Sequence, residues 1–314
     1  MNSQGVLRRQ PWIITLVVLA VLVAVNTFLQ PSFVQPSVLQ SNLTTFLPLI
    51  LVAIGQTYVI LAGDIDLSVG SIVALANVVT VSVIAALGGT TGAVFAGMAA
   101  GVTVGLLCGL VNGLFISGLR FQPIVTTFAT GIIFAGMAIW VLPQAGLPVP
   151  EAYWQTYSGS FFGLPFVLWV LIAGIAFTLI VSRIPFHTHL LAVGGNRTGA
   201  FQTGLRLSGI RIGAYMISGL FSALAALCLT GETASGDPLL GASLALSSIS
   251  AVVLGGTALS GGFGSSTGSI AGALVLGMIG NVIFFAGLPF EYQTLVQGLI
   301  VLTALAGGVL VTRR

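Results

Sequence analysis

Two carboxylates, separated by one residue, stand in the stretch "LAGDIDLSVG" at 61–70 of a chain in which only 5% of the residues are charged. Asp64 and Asp66 fall between two long apolar runs. A carboxylate placed just before a helix accepts backbone N–H groups and meets the positive end of the helix dipole, so Asp66 is predicted to cap the helix that follows. Ser68 keeps the same turn polar. The competing interpretation places both carboxylates in a gate or transport pathway.

A second polar feature is the segment at 183–211, which is rich in arginine. Its two histidines, His187 and His189, have no neighbouring cysteine or acidic residue that would complete a metal site. The chain contains no lysine, so a Walker-type phosphate loop cannot be assembled. We therefore predict no ATPase site, no cofactor, no metal site and no enzymatic activity of the chain's own.

Composition indicates the elements that must hold these groups. Hydrophobic residues make up 56% of the 314 residues, which excludes an ordinary soluble domain. A bilayer core of roughly 30 Å needs about 20 apolar residues per helix. Ten such runs are predicted near 12–31, 43–62, 67–87, 92–117, 123–142, 162–182, 212–230, 239–258, 266–287 and 293–311. Because no polar gap is long enough to fold alone, residues 1–314 are predicted to form a single all-α, polytopic transmembrane domain.

Charge placement orients these ten helices. If Arg8 and Arg9 are cytoplasmic, alternate threading puts every other arginine on the same side, as the positive-inside rule requires. These are Arg120, Arg183, Arg197, Arg206, Arg211, Arg313 and Arg314. Both termini are therefore predicted to be cytoplasmic. Four carboxylates fall outside: Glu151, Glu232, Asp237 and Glu291. Asp64 and Asp66 fall near the cytoplasmic face, where we expect water to solvate their charges.

Neutral amides are the polar groups available for substrate contact inside the predicted helices: Gln56, Asn77, Asn112, Asn281 and Gln297. Amides suit an uncharged polyol such as a monosaccharide, although interhelical hydrogen bonding explains such residues as well. The predicted pathway or gate residues are Asp64, Asp66, Ser68, Gln56, Asn77 and Asn112. The fourth helix also carries a glycine at every fourth position from 97 to 113, a spacing that lets another backbone lie close.

Three ordered stretches resemble the permease subunits of ABC importers, specifically the group that serves ribose and related monosaccharides and is related to the branched-chain amino-acid permeases. They are "GQTYVILAGDIDLSVGSIVAL" at 55–75, "LAVGGN" at 191–196 followed by "RLSGI" at 206–210, and "AVVLGGTALSGGFGSSTGSIAGAL" at 251–274. The similarity runs in register from about residue 40 to residue 311.

The resemblance implies partners. These are two ATP-binding subunits on the cytoplasmic side, a second permease that is an identical copy or a paralogue, and a periplasmic or extracellular solute-binding protein. The implied substrate is a monosaccharide and the implied location is the bacterial cytoplasmic (inner) membrane, with the lipid bilayer and no nucleic acid as partner.

The resemblance also assigns roles to residues. The segment 183–211 becomes the cytoplasmic loop that couples to the ATPase. Its candidate coupling residues are Gly194, Gly195, Asn196, Arg197, Arg206, Leu207, Ser208 and Gly209. An alternative is that the arginines of this loop anchor it to anionic lipid. The four outer carboxylates are predicted to dock the binding protein through its lysines or arginines.

Two departures from the family pattern leave alternatives open. Nine residues, "RTGAFQTGL", separate "GGN" from "RLSGI", where the common form has a short alanine-rich spacer, and Arg197 stands where an acid is often found. The docking helix, expected to follow a break at 194–196 and run through Arg206 to Gly209, is then longer or bent. The stretch "LALSSISAVV" lacks the carboxylate of many sugar permeases, which indicates another substrate or one half of a heterodimer.

Other functions also stay open. A proton-coupled secondary transporter would use Asp64 and Asp66 as proton carriers and need no ATPase. A passive channel is compatible with the glycine-rich helices, and a permease for another small polar solute such as a nucleoside fits the same motifs. The resemblance of the coupling loop favours the ATP-driven importer.

Overall fold

The computed structural model describes residues 12–289, together with 291, 292, 294–296, 298, 299 and 302. Helices dominate this part of the chain. In order they are α1 (Trp12–Leu29), α2 (Pro36–Leu61), α3 (Val69–Ala86), α4 (Thr91–Gly113, continued by a π-helical turn at Leu114–Gly118), α5 (Pro123–Val141), α6 (Glu151–Ser158), α7 (Phe166–Val181), α8 (Pro185–Gly195), α9 (Arg197–Gln202), α10 (Leu207–Thr233), α11 (Leu244–Leu254) and α12 (Ser266–Phe285). Short strands are β1 (Leu147–Pro148), β2 (Ser160–Phe161), β3 (Leu164–Pro165) and β4 (Ser235–Gly236). β1 pairs with β4, and β2 pairs with β3, both antiparallel.

Within the described residues, six helices are long and apolar enough to cross a bilayer: α2, α3, α4 with its π-helical turn, α5, α10 and α12. A seventh span results if α7 and α8, which meet at an angle of 74°, are counted together. The stretch Thr15–Leu29 of α1 and the helix α11 are apolar but shorter than these spans. The chain is therefore a helical multi-pass membrane protein. The predicted tenth helix at 293–311 lies largely outside the described residues, as do Gln297 and the terminal arginines, so the count of ten and the side of the termini stay predictions.

Helix α2 occupies the centre of the bundle, where it packs against α7, α10, α11 and α12. Apart from Leu49, all its residues from Phe46 to Leu61 are buried. A helix that is apolar on all sides is expected in an interior. The ring of Phe177 on α7 packs edge-on against both Tyr58, at 6.2 Å between centroids, and Phe221, at 5.0 Å. These aromatic contacts hold α2, α7 and α10 together.

The glycine series of α4 packs against two helices in turn. A Cβ at Gly101 would overlap the side chain of Thr80 on α3. A Cβ at Gly105 would overlap the carbonyl oxygen of Gly219 on α10, and the converse also holds. Two backbones approach this closely only where neither residue carries a side chain. The series therefore places α4 in direct backbone contact with α10.

The predicted eighth helix at 239–258 is only partly helical. Helix α11 begins at Leu244, and a non-helical segment at 234–243 precedes it. Gly241 lies in this segment with a φ of +87°, which is incompatible with a continuous α-helix through 239–258. The segment runs alongside α3, because a Cβ at Gly70 would overlap the carbonyl oxygen of Gly241. Apolar content alone does not show this break, since it is independent of backbone conformation.

The expected docking helix through Arg206 to Gly209 is also wrong. Helix α9 ends at Gln202, and the stretch Leu207–Gly209 forms the first turn of α10. Gly204, whose φ is +84°, separates the two helices. A left-handed residue of this kind ends a helix, which explains why the short helix α9 does not continue into the long helix α10.

Candidate functional site

Three stretches that are far apart in the chain meet at the end of α2. The carbonyl oxygen of Leu61 accepts a hydrogen bond from the backbone N–H of Gly262 at 3.0 Å. Gly194 lies so close to the same carbonyl that a Cβ would overlap it. We define the inner junction as Leu61–Asp64, Gly194–Arg197 and Gly261–Gly262. Its glycines allow three backbones to touch, and any larger residue would separate them.

Asp64 is the charged centre of the inner junction. Arg211 donates from Nε to Oδ2 at 2.9 Å, and its Nη2 lies 2.8 Å from the same oxygen. Arg197 donates to Oδ1 and also to the carbonyl oxygens of Ala62, at 3.2 Å, and Gly63, at 3.1 Å. The guanidinium of Arg197 thus satisfies carbonyl groups just after the C-terminus of α2, where the helix dipole favours a cation. One side chain ties α9 both to the end of α2 and to the carboxylate.

The expectation that water solvates the two carboxylates is wrong. The side chain of Asp64 is 0% exposed, against 13% for Arg211 and 43% for Arg197. Asp66 is buried as well. Buried charges in proteins are paired, and here arginines take the place of water around Asp64. The sequence separation of 133 and 147 residues hides this pairing from inspection of the motif alone.

Asp66 belongs to a second set of contacts, the buried polar network of Asp66, Ser68, Asn112, Thr130 and Ser218. Oδ1 of Asp66 accepts from the backbone N–H and the hydroxyl of Ser68, at 2.9 and 2.6 Å, and Oδ2 accepts from Ser218 at 3.0 Å. Asn112 donates to Ser68 at 2.8 Å and accepts from Thr130 at 2.6 Å. All five side chains are buried. Ser218 lies roughly 10 Å along α10 from Arg211, so the network lies deeper in the bundle than the inner junction.

The other end of the bundle is held by what we call the outer closure, made of Asn77, α6, β1 and β4. Asn77 donates to Thr230 at 2.7 Å and accepts from the backbone N–H of Asp237 at 2.8 Å. Pairing of β1 with β4 joins the loop after α5 to the segment after α10. Tyr153 of α6 donates to the carbonyl oxygen of Leu227 at 3.0 Å, and burial raises the pKa of its hydroxyl. Contacts with the amide of Asn77 and with the backbone of β1 thus provide hydrogen-bond partners for the non-helical segment inside the bundle.

The carboxylates predicted to dock a binding protein lie at or near this outer end. Glu232 is about 30 Å from Arg211 along the axis of α10, the thickness of a bilayer core. Glu232 accepts a hydrogen bond from Thr45 at 3.0 Å. Glu151 and Glu291 are exposed, and Asp237 is half-buried. Their docking role stays a prediction.

The predicted coupling residues differ in exposure. Gly194 and Arg197 are engaged in the inner junction, and Asn196 caps α9 by accepting the backbone N–H of Gly199 at 2.9 Å. Gly195, Arg206, Ser208 and Gly209 are exposed, and Leu207 is half-buried. Sequence reasoning missed Phe201, which is 67% exposed on α9. An aromatic residue within a polar, arginine-rich loop was the available signal.

Comparison with known proteins explains why the three stretches that meet at the inner junction resemble those of ABC importer permeases. The family described as "Branched-chain amino acid transport system / permease component" matches residues 38–305. The ribose import permease protein of Bacillus subtilis (strain 168) is 35% identical over 290 residues, which cover 91% of this chain and 89% of the relative. The L-arabinose transport system permease protein of Escherichia coli (strain K12) is 36% identical over 256 residues, or 81% and 77% of the two chains. The resemblance seen in the three stretches is thus confirmed, and the chain belongs to the permease-component family of the branched-chain amino acid transport system.

Proposed function

We propose that the chain is the membrane-spanning permease subunit of an ATP-driven ABC importer that brings a monosaccharide into the cytoplasm. The meeting of the three shared stretches at the inner junction is the observation that carries this proposal. Relatives named for ribose and L-arabinose support a pentose-like sugar as the substrate. ATP hydrolysis is supplied by partner subunits in the bacterial cytoplasmic membrane, and the permease itself catalyses no reaction.

The inner junction gives a physical route from the ATPase to the transport pathway. One of the two ATP-binding subunits docks on the face formed by α8, α9 and the loop after α9, where Phe201 and Arg206 are exposed. Movement of α9 is transmitted through Arg197 to the end of α2 and to Asp64. From there the chain continues directly into Asp66 and the buried polar network. Coupling between such sites usually operates by rigid-body motion of packed helices.

On the outer side, a solute-binding protein delivers the sugar to the surface that carries Glu151, Glu232, Asp237 and Glu291. Complementary charge on that protein, in the form of lysine or arginine, would orient it over the outer closure. A second permease, identical or paralogous, completes the assembly.

Contacts of the two buried carboxylates argue against a proton-coupled carrier. Asp64 is bound by two guanidinium groups, those of Arg197 and Arg211. Asp66 accepts three hydrogen bonds through its two oxygens. A carrier role for Asp64 would require release of its two arginines, which would break the contacts that hold α2, α9 and α10 together.

Affinity purification of the tagged chain from native membranes in mild detergent, followed by mass spectrometry and reconstitution, tests the proposal. We expect an ATP-binding subunit to accompany the chain, and labelled ribose or L-arabinose to enter proteoliposomes only when ATP and the binding protein are present. Recovery of the chain alone, under conditions that keep a known ABC importer intact, would contradict the proposal. So would uptake that needs a proton gradient and no ATP.

A further inference from the structure

Gln56, five residues before the end of the long central helix α2 at Leu61, carries an amide that is fully buried and has no partner among the described residues. Neither Oε1 nor Nε2 has a hydrogen-bond partner among the described residues. Asn77 and Asn112 are buried to the same degree, yet both atoms of each amide are bonded. A buried amide without a partner destabilises the fold, because it has lost its hydrogen bonds to water and gained none. A leucine or methionine would fill this position in a purely structural helix.

The contacts of neighbouring residues place Gln56 inside the bundle. Gly55 faces α10, since a Cβ there would stand 2.9 Å from Cβ of Phe221. Thr57 donates to Ser269 on α12 at 2.7 Å. Ile54 faces α7, and Gln56, two positions later, lies about 200° around the helix axis from it. The amide is therefore on the side of α2 away from α7, between the direction that faces α10 and the direction that faces α12.

We propose that Gln56 is a specificity-determining residue that hydrogen-bonds a hydroxyl group of the transported monosaccharide when the pathway through the bundle opens. The inference rests on the proposed function. A carboxamide both donates and accepts, which matches a sugar hydroxyl that does the same. The unpaired amide gains its partner only when sugar is present, so the contact favours the loaded pathway over the closed one.

The first test compares stability and transport in Gln56→Met. We expect the purified complex of the variant to unfold a few degrees higher, because an unpaired buried amide is removed, and to import ribose and L-arabinose roughly tenfold more slowly at saturating sugar, because one hydrogen bond is lost. Asn77→Leu is the matched control for stability, since it removes a fully bonded amide and should lower the unfolding temperature. A purely structural role for Gln56 predicts instead that stability and transport fall together, and this would overturn the proposal.

The second test compares each sugar with its monodeoxy analogues in wild type and in Gln56→Met. The wild type should import one analogue roughly tenfold more slowly than the parent sugar, and the variant should lose this discrimination. The ratio of parent-sugar uptake to analogue uptake is compared between the wild type and the variant. Because both permeases use the same binding protein, the preferences of that protein cancel in this comparison. Gln56→Asn, whose shorter side chain cannot reach the same hydroxyl, should behave like the methionine variant and replaces it if that variant does not assemble.

Equal discrimination by wild type and variants, with ATP-driven uptake intact, would overturn the assignment of Gln56 and leave the proposed function standing. If the wild type imported every monodeoxy analogue equally slowly, the amide of Gln56 would contact water and not one particular sugar hydroxyl. This result would also overturn the assignment of Gln56. Absence of ATP-driven sugar uptake in the wild type would overturn the proposed function and the inference with it.

Discussion

At the residue scale, the two arginines that bind Asp64 have different surroundings and therefore different tasks. Arg211 is 13% exposed and has Asp64 as its ionic partner, whereas Arg197 is 43% exposed and also bonds two backbone carbonyls after α2. A shielded pair interacts more strongly than one in contact with water. Arg211 is thus the main neutraliser of the carboxylate, and Arg197 is the mechanical link to α9.

This division predicts separable effects of removing each charge. Arg211→Met should lower the free energy of unfolding by about 3 kcal/mol, because it leaves a buried ion pair incomplete. Arg197→Met should cost less than about 1 kcal/mol, yet it should reduce the sugar imported per ATP hydrolysed, because α9 is no longer tied to α2. Thermal unfolding in detergent and the ratio of uptake to ATPase activity check the two effects.

Glu151→Gln, at an exposed carboxylate of the outer side, serves as the control for loss of one charge and should leave stability unchanged. Equal destabilisation by the two arginine variants would contradict the assigned roles. So would full coupling in Arg197→Met.

At the element scale, the crossing of α4 and α10 depends on backbone contact between Gly105 and Gly219. Each glycine would overlap the carbonyl oxygen of the other if it carried a Cβ. Because α10 also bears Arg211 and Ser218, the same crossing sets the distance of α4 from the inner junction and from the buried polar network. A displacement of α4 relative to α10 would therefore change the geometry of both the inner junction and the buried polar network.

Gly219→Ala should lower the free energy of unfolding by about 1–3 kcal/mol, the usual cost of overpacking a tight contact. Gly136→Ala, on the exposed face of α5 with no atom within 4 Å of the added Cβ, should be neutral or stabilising by up to about 1 kcal/mol. Denaturation of the two variants under identical detergent conditions makes the comparison. An equal decrease in the free energy of unfolding of the two variants would show that the backbone contact between Gly105 and Gly219 does not limit stability.

Prediction from sequence worked where a property is local and failed where it depends on distant partners. The glycine spacing of α4 indicated close helix packing correctly, because the pattern itself defines the face. Burial of Asp64 escaped prediction, since its partners are Arg197 and Arg211 and no local rule connects them. The broken eighth span was missed because apolar content outweighed the signal of Gly241. The shared stretches indicated the family but not that they touch one another.

At the scale of the whole molecule, charge is distributed unequally between the two ends of the bundle. The inner junction and the adjoining loop carry arginines, and the outer end carries carboxylates such as Glu232. This asymmetry supports an orientation with α8 and α9 in the cytoplasm, as the positive-inside rule predicts. It also presents opposite charges to the two kinds of partner that we propose.

Thiol labelling of intact cells tests this orientation. Thr156→Cys in α6 and Thr198→Cys in α9 are both exposed sites, and each replaces the same residue type. A membrane-impermeant maleimide should label the first in intact cells and the second only after the membrane is permeabilised. The parent chain, whose Cys108 and Cys228 are buried, sets the background. Labelling in the reverse pattern would invert the topology and move the proposed ATPase docking face to the outside.

The binding of one carboxylate by two arginines also constrains the order in which substitutions can accumulate at this site during evolution. Losing Arg197 leaves Asp64 neutralised by Arg211, so the fold tolerates a change at position 197 even though coupling to ATP hydrolysis weakens. Losing Asp64 first strands two cations in one step. A series of substitutions that keeps the chain folded therefore begins at position 197, and an acid is tolerated there only after position 64 has become neutral. The order of substitutions, and not only their number, is constrained by this one cluster.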